Sequence, residues 1–138
     1  MSVHTGELRF ETEGDGHVVD LTGGVAAVVR QSAIQHGTVS VFVPGATAAI
    51  TTMEYEPGGV NDLRELLDRL IPREGNYEHN RLNHDSNSHA HMRAAIVGPS
   101  ETIPIVAGEL RMGTWQQVVL IDFDDRPRQR TVVVSVTG

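Results

Sequence analysis

Residues Thr102 to Val136, TIPIVAGELRMGTWQQVVLIDFDDRPRQRTVVVSV, decide the fold. Thr102 to Val106, Glu109 to Met112, Trp115 to Phe123 and Gln129 to Val136 read as strands, β-branched in all but the second, and Gly, Pro and Asp separate them as turns do. The last two are expected to meet around Asp124-Asp125-Arg126-Pro127. Upstream the hydrophobic period becomes helical. Helices early and strands late predict an α+β domain, without the strict alternation that builds a parallel α/β sheet.

The clearest helix precedes these strands. With Asn61 as its cap and Ile71 as its end, Val60, Leu63, Leu66, Leu67, Leu70 and Ile71 share one face, while Asp62, Arg64, Glu65, Asp68 and Arg69 take the other. Pro72 stops it, and Arg73-Glu74-Gly75 is expected to lead into a loop. Ser88 can cap a shorter helix from about His89 to Val97, closed by Gly98-Pro99. Nearer the amino terminus, Thr38 to Pro44 and Ala46 to Tyr55 read as strands. Asp20 or Thr22 caps a helix through Gln35 with Gly37 as its stop, and Val3 to Thr12 alternates as a strand ending at Gly14-Asp15-Gly16.

A chain of 138 residues buries roughly two thirds of its unfolded surface, enough for one core, so a single domain over residues 1–138 is expected. Aromatics make up 4% of it, and the core must therefore come from Val, Ile, Leu and Ala. A net charge of -7 argues against nucleic acid, whose binders need a basic face. Without cysteine there is neither disulfide nor thiolate, and any metal must sit on His, Asp or Glu. No apolar run approaches a membrane span and no signal peptide opens the chain, which leads to the expectation of a cytoplasmic protein without a membrane partner.

The chemistry is concentrated between the amphipathic helix and the strands. His79, His84, His89 and His91 fall within thirteen residues that also hold Asn80, Asn83, Asp85 and Asn87. Zinc and related ions take imidazole nitrogens and leave one position open in catalytic sites, but a polar loop of solvated histidines has the same composition. Spacing alone leaves both readings open. If Ser88 is a cap, His89 and His91 are the first and third helical residues, about 200° apart around the axis, so one of them points away from any shared site. Asp122, Asp124 and Asp125 beside Arg126, Arg128 and Arg130 read as a solvated hairpin ladder, and Trp115 as a core residue beginning a strand.

Taken in order, several short motifs form a pattern. Val41-Phe42-Val43-Pro44, Glu54, Tyr77-Glu78-His79, Ser88-His89-Ala90-His91, Gly98-Pro99-Ser100, Ile103-Pro104-Ile105 with Gly108, Gly113-Thr114-Trp115-Gln116 and Arg128-Gln129-Arg130 resemble the YjbQ-like family from about Asp20 to Gly138. The resemblance implies one compact domain of packed β-sheets with flanking helices, assembled as a homotrimer. Family members are known as secondary thiamine-phosphate synthases, which join a hydroxymethylpyrimidine pyrophosphate to a thiazole phosphate. It further implies catalytic roles for His79, His91 and Glu54, and a phosphate-bearing small molecule contacted by Arg93, Ser100, Thr114, Trp115 and Gln116. A divalent metal, zinc or magnesium, would use His79 and His91, with His89 or His84, extra donors outside the family pattern, able to add a ligand. The family motif His-Thr-Thr-Ala falls here on Gly45-Ala46-Thr47-Ala48, so its histidine is missing. Gly45→His would then strengthen zinc binding. The family match also selects His91 as the inward residue of its pair and leaves His89 nearer solvent. The alternative function is a non-catalytic trimeric module that binds a metal or small anion.

Overall fold

The computed structural model describes residues 1–138. In chain order the elements are β1 (Val3–Thr12), β2 (His17–Asp20), α1 (Thr22–Ser32), β3 (Gly37–Phe42), β4 (Ala48–Met53), α2 (Pro57–Leu70), α3 (Glu78–Asn83), α4 (Ser88–Val97), β5 (Ser100–Val106), β6 (Glu109–Leu110), β7 (Gln117–Asp122) and β8 (Arg128–Thr137). The strands form two antiparallel sheets, one of five in the order β1-β8-β3-β5-β6 and one of three in the order β2-β7-β4. The α+β expectation holds.

The run Val118-Val119-Leu120-Ile121 explains the layering. Successive strand residues face opposite sides, so an unbroken apolar run needs cover on both. Val118 and Leu120 join Ile50, Val39, Val41, Ile103, Val132, Val134 and Val136 in a core between the two sheets, which also takes Leu21, Val25, Val28 and Val29 from α1 and the residue before it. Val119 and Ile121 face the other way, onto Leu67 of α2 and Ala90 and Ala94 of α4. Each Val, Ile or Leu side chain among them contributes about 1.5–3 kcal/mol when fully buried. In the five-stranded sheet only the inner residues, such as Val132, Val134 and Val136, are buried, and no helix covers its outer face.

Several local expectations change for identifiable reasons. The amphipathic helix begins at Pro57, ahead of Asn61, because Glu56 caps it: Oε2 accepts from Gly58 N at 2.9 Å and Oε1 accepts from Gly59 N. Helix α1 ends at Ser32 with Ala33 in the left-handed conformation, before Gly37 is reached. Residues 78–83, expected as loop, form the short helix α3. Strand β7 starts at Gln117, which leaves Trp115 outside it and 72% exposed. The largest change concerns the last two strands, which do not form a hairpin. Strand β7 pairs with β2 and β4 and β8 pairs with β1 and β3, so the connection between them crosses from one sheet to the other.

Candidate functional site

That crossing buries charge. Asp122 and Asp124 are both 0% exposed. Asp122 receives Arg130 in a fork, Nε to Oδ2 at 2.7 Å and Nη2 to Oδ1 at 2.8 Å, together with Thr12 Oγ1 at 2.5 Å. Asp124 Oδ2 accepts from Arg128 Nε at 2.8 Å and Thr47 Oγ1 at 3.1 Å, while its Oδ1 accepts from Asp125 N and from Asn87 Nδ2 at 3.4 Å. Arg130 Nη2 also donates to Thr47 Oγ1 at 2.7 Å. Burial alone would raise both carboxyl pKa values. At Asp122 the hydrogen bonds from Arg130, Thr12 and the Asp124 amide reverse that effect, and at Asp124 those from the Asp125 amide, Arg128, Asn87 and Thr47 do so. Both groups end below the usual carboxylate range. Arg130 is shifted upward, chiefly by its hydrogen bond to Asp122, and stays charged. The solvated ladder expected from the sequence is therefore a buried ion network.

Asn87 carries this network to the histidines. It occupies the cap position of α4 but makes no capping hydrogen bond, so its amide is free for other partners. A carboxylate only accepts, so Asn87 must turn Nδ2 to Asp124 and Oδ1 toward His79. His79 Nε2 lies 3.1 Å from that Oδ1 and 3.6 Å from Asp85 Oδ2. Two acceptors on one side place the proton on Nε2 and leave the lone pair of a neutral ring on Nδ1. The His91 ring sits beside it, with centroids 4.7 Å apart and planes at 58°. Asn83 Nδ2 bonds to His79 O at 3.0 Å within α3, and Asn80 Oδ1, accepting from Ser88 N at 3.0 Å, ties α3 to the start of α4.

Of the residues named from sequence, the structure brings together His79 and His91. His89 is 2% exposed and lines a different cavity, which corrects the expectation that it lies nearer solvent. His91 is only partly buried, beside His79 on the outer side of α4. Within the chain no group of three His, Asp or Glu side chains stands in metal-binding proximity. A three-histidine set on His79, His89 and His91 is not assembled. Arg93 is buried, donating to Ile71 O at 2.6 Å and to Asp68 at 3.1 Å, and so closes the end of α2. Glu54, Ser100, Thr114 and Trp115 are exposed, and Gln116 is held by Thr52 and Gly113. A Cβ on Gly45 would come 2.9 Å from Arg130 Nη1, so the space of the missing histidine borders the ion network.

The profile of the YjbQ family, "UPF0047 protein YjbQ-like", matches residues 6–138. The chain belongs to this family. Among YjbQ-like relatives, the UPF0047 protein of Methanothermobacter thermautotrophicus is 35% identical over 138 residues, covering 100% of this chain and 94% of the relative. YugU of Bacillus subtilis is 31% identical over 133 residues, covering 95% of this chain and 97% of the relative. Among solved structures, a YbjQ-like protein of unknown function from Sulfolobus solfataricus superposes with a TM-score of 0.94 at 30% identity, over 99% of this chain and 98% of that one. A yjbq/upf0047 protein from Clostridium acetobutylicum gives 0.88 at 36%, over 96% and 99%. The YjbQ-like fold is thus present nearly end to end, and no helix is long and apolar enough to cross a membrane.

Proposed function

We propose that the chain is a cytoplasmic small-molecule transferase of the thiamine-phosphate synthase type, acting as a homotrimer, with His79 and His91 at its reacting centre. The observation that carries this reading is the orientation of His79: Asn87, itself anchored on buried Asp124, takes Nε2 and leaves Nδ1 free beside His91. In the reaction a C–N bond forms between the pyrimidine methylene carbon and the thiazole nitrogen, and the C–O bond to pyrophosphate breaks. The leaving pyrophosphate takes the bonding pair. A proton taken up at His79 Nδ1 makes the ring a donor to a departing oxygen. Arg128, 41% exposed while paired with Asp124, is the cation that this network presents to solvent. Metal chemistry has less support, because His79 and His91 offer zinc or magnesium two nitrogens and no third protein ligand within one chain.

The uncovered outer face of the five-stranded sheet, with Val3, Phe42 and Val106 exposed on it, supports the trimer. Light scattering that returns a monomer mass would remove that part of the proposal. The decisive assay is pyrophosphate release from the two thiamine precursors, with wild type active and His79→Ala inactive. Binding of either precursor without turnover would favour the second reading, a non-catalytic binding module. The buried, fully engaged Arg93 is the observation on that side, since it takes away a cation expected to meet the phosphate.

A further inference from the structure

His89 lies about 200° around α4 from His91, and it lines a cavity of about 410 Å³ bounded by the end of α2, the β1–β2 turn and the start of α4. No hydrophobic side chain lines it. Three arginines, Arg64, Arg73 and Arg93, and three acids, Asp15, Asp68 and Glu74, line it together with His89. The imidazole is 98% buried on the 2% exposure of the residue, and its Nδ1 has no hydrogen-bond partner. Buried polar atoms are almost always partnered, and one that is not calls for an explanation. A lone pair costs less to leave unmatched than an N–H, which puts the proton on Nε2, so the ring would meet an anion through Nε2 and not through the unpartnered Nδ1.

The cations differ in their freedom. Arg93 is fixed by Ile71 O and Asp68, and Arg64 gives Nη2 to Gly16 O at 3.1 Å while keeping its other N–H groups. Arg73 meets Asp15 at 2.6 Å, but both side chains are about half exposed, so water screens the pair and an incoming anion can replace Asp15. Glu74 is exposed and free to turn to solvent.

We propose that this cavity is a binding site for a small oxyanion, a phosphate or carboxylate group, gripped by Arg73 and Arg64 with His89 at its side. The site goes beyond the transferase reading and does not rest on it, since it shares neither His79 nor His91. Three carboxylates around three arginines set a modest affinity and favour a ligand of low charge.

Long-range proton–nitrogen spectra of the imidazoles, recorded at neutral pH and constant ionic strength during titration with inorganic phosphate and then with acetate, test it. The expected result is a saturable shift of the His89 resonances in the millimolar range, unchanged in His79→Ala and weakened about tenfold in Arg73→Gln through loss of a charge-assisted hydrogen bond. Saturation by phosphate alone identifies a phosphoryl site, and saturation by both a general carboxylate and phosphate site. A linear drift matching chloride, or a saturable shift that persists undiminished in Arg73→Gln, overturns the proposal. Failure of the transferase assay leaves these outcomes untouched.

Discussion

Arg130→Met isolates the energetic role of the buried ion network. Met has nearly the volume of the arginine stem, so the substitution removes the charge while keeping most of the packing. It leaves Asp122, 0% exposed, with only Thr12 Oγ1 and the Asp124 amide, and leaves Thr47 without its Arg130 donor. Arg130 itself is 10% exposed, so the pair is desolvated on both sides and solvent screening gives little relief. Removing one partner of such a pair costs about 3–5 kcal/mol, because the other charge stays buried. An unfolding entropy of roughly 2.1 cal/mol/K per residue gives about 0.3 kcal/mol/K for a chain of this length, so Tm should fall by about 10–17 °C. Calorimetry at pH 7 measures it. The loss should shrink toward pH 4, where Asp122 in the variant can protonate and shed the uncompensated charge. A loss of less than about 1 kcal/mol, typical of an exposed pair, would refute the buried-network account.

Three further outcomes follow from the same geometry. Asn87→Leu should abolish the proposed precursor turnover through loss of the His79 orientation and cost about 0.5–1.5 kcal/mol for the hydrogen bond lost at Asp124 Oδ1, which keeps the Asp125 amide, as read by steady-state assay beside thermal melts. Gly45→His should lower Tm by about 3–10 °C, the equivalent of roughly 1–3 kcal/mol of overpacking against Arg130 Nη1, and a variant as stable as wild type would show that Arg130 yields its place without cost. The His89 pKa is lowered, first by burial and then by Arg93 and Arg73, so the neutral ring contributes stability above the unfolded value near 6.5 that is lost as pH falls below it. Tm should therefore decline from about pH 6.5 downward, and His89→Gln should flatten that limb while keeping the steeper loss below about pH 4 that comes from Asp122 and Asp124.

Much of the fold is legible because its periods are local. The β-branched runs of the strands are buried as they read, and in the amphipathic helix Leu67 and Ile71 are buried while Leu66 and Leu70 of the same apolar face stay exposed. Which strands pair is not local. The short segment from Phe123 to Pro127 looks like a hairpin loop by composition, yet the neighbours of β7 are β2 and β4, both far away in sequence, and not β8. What selects this pairing is that Val118-Val119-Leu120-Ile121 must be covered on both faces, whereas Val132, Val134 and Val136 alternate with half-buried residues and need cover on one. A doubly buried strand and a singly buried one belong in different layers, and the spacing of apolar residues already carried that difference.

The same contrast explains why half of the candidate site was missed. His79 and His91 stand out because histidine is rare and reactive, and the family motifs name them. Asp122, Asp124, Arg128 and Arg130 belong to residue types that are mostly exposed, so a charge-rich turn reads as solvated unless its surroundings are known. Their spacing nevertheless held a signal: in extended chain, residues two apart share a face, so Asp122 with Asp124 and Arg128 with Arg130 present matched pairs of opposite charge. Bringing the pairs together at a sheet crossing turns a surface pattern into a buried one. Asn87 then extends the fixed charge of Asp124 to His79, the one histidine whose ring is held by acceptors, and this makes the proposed acid–base group and the ion network parts of one structure.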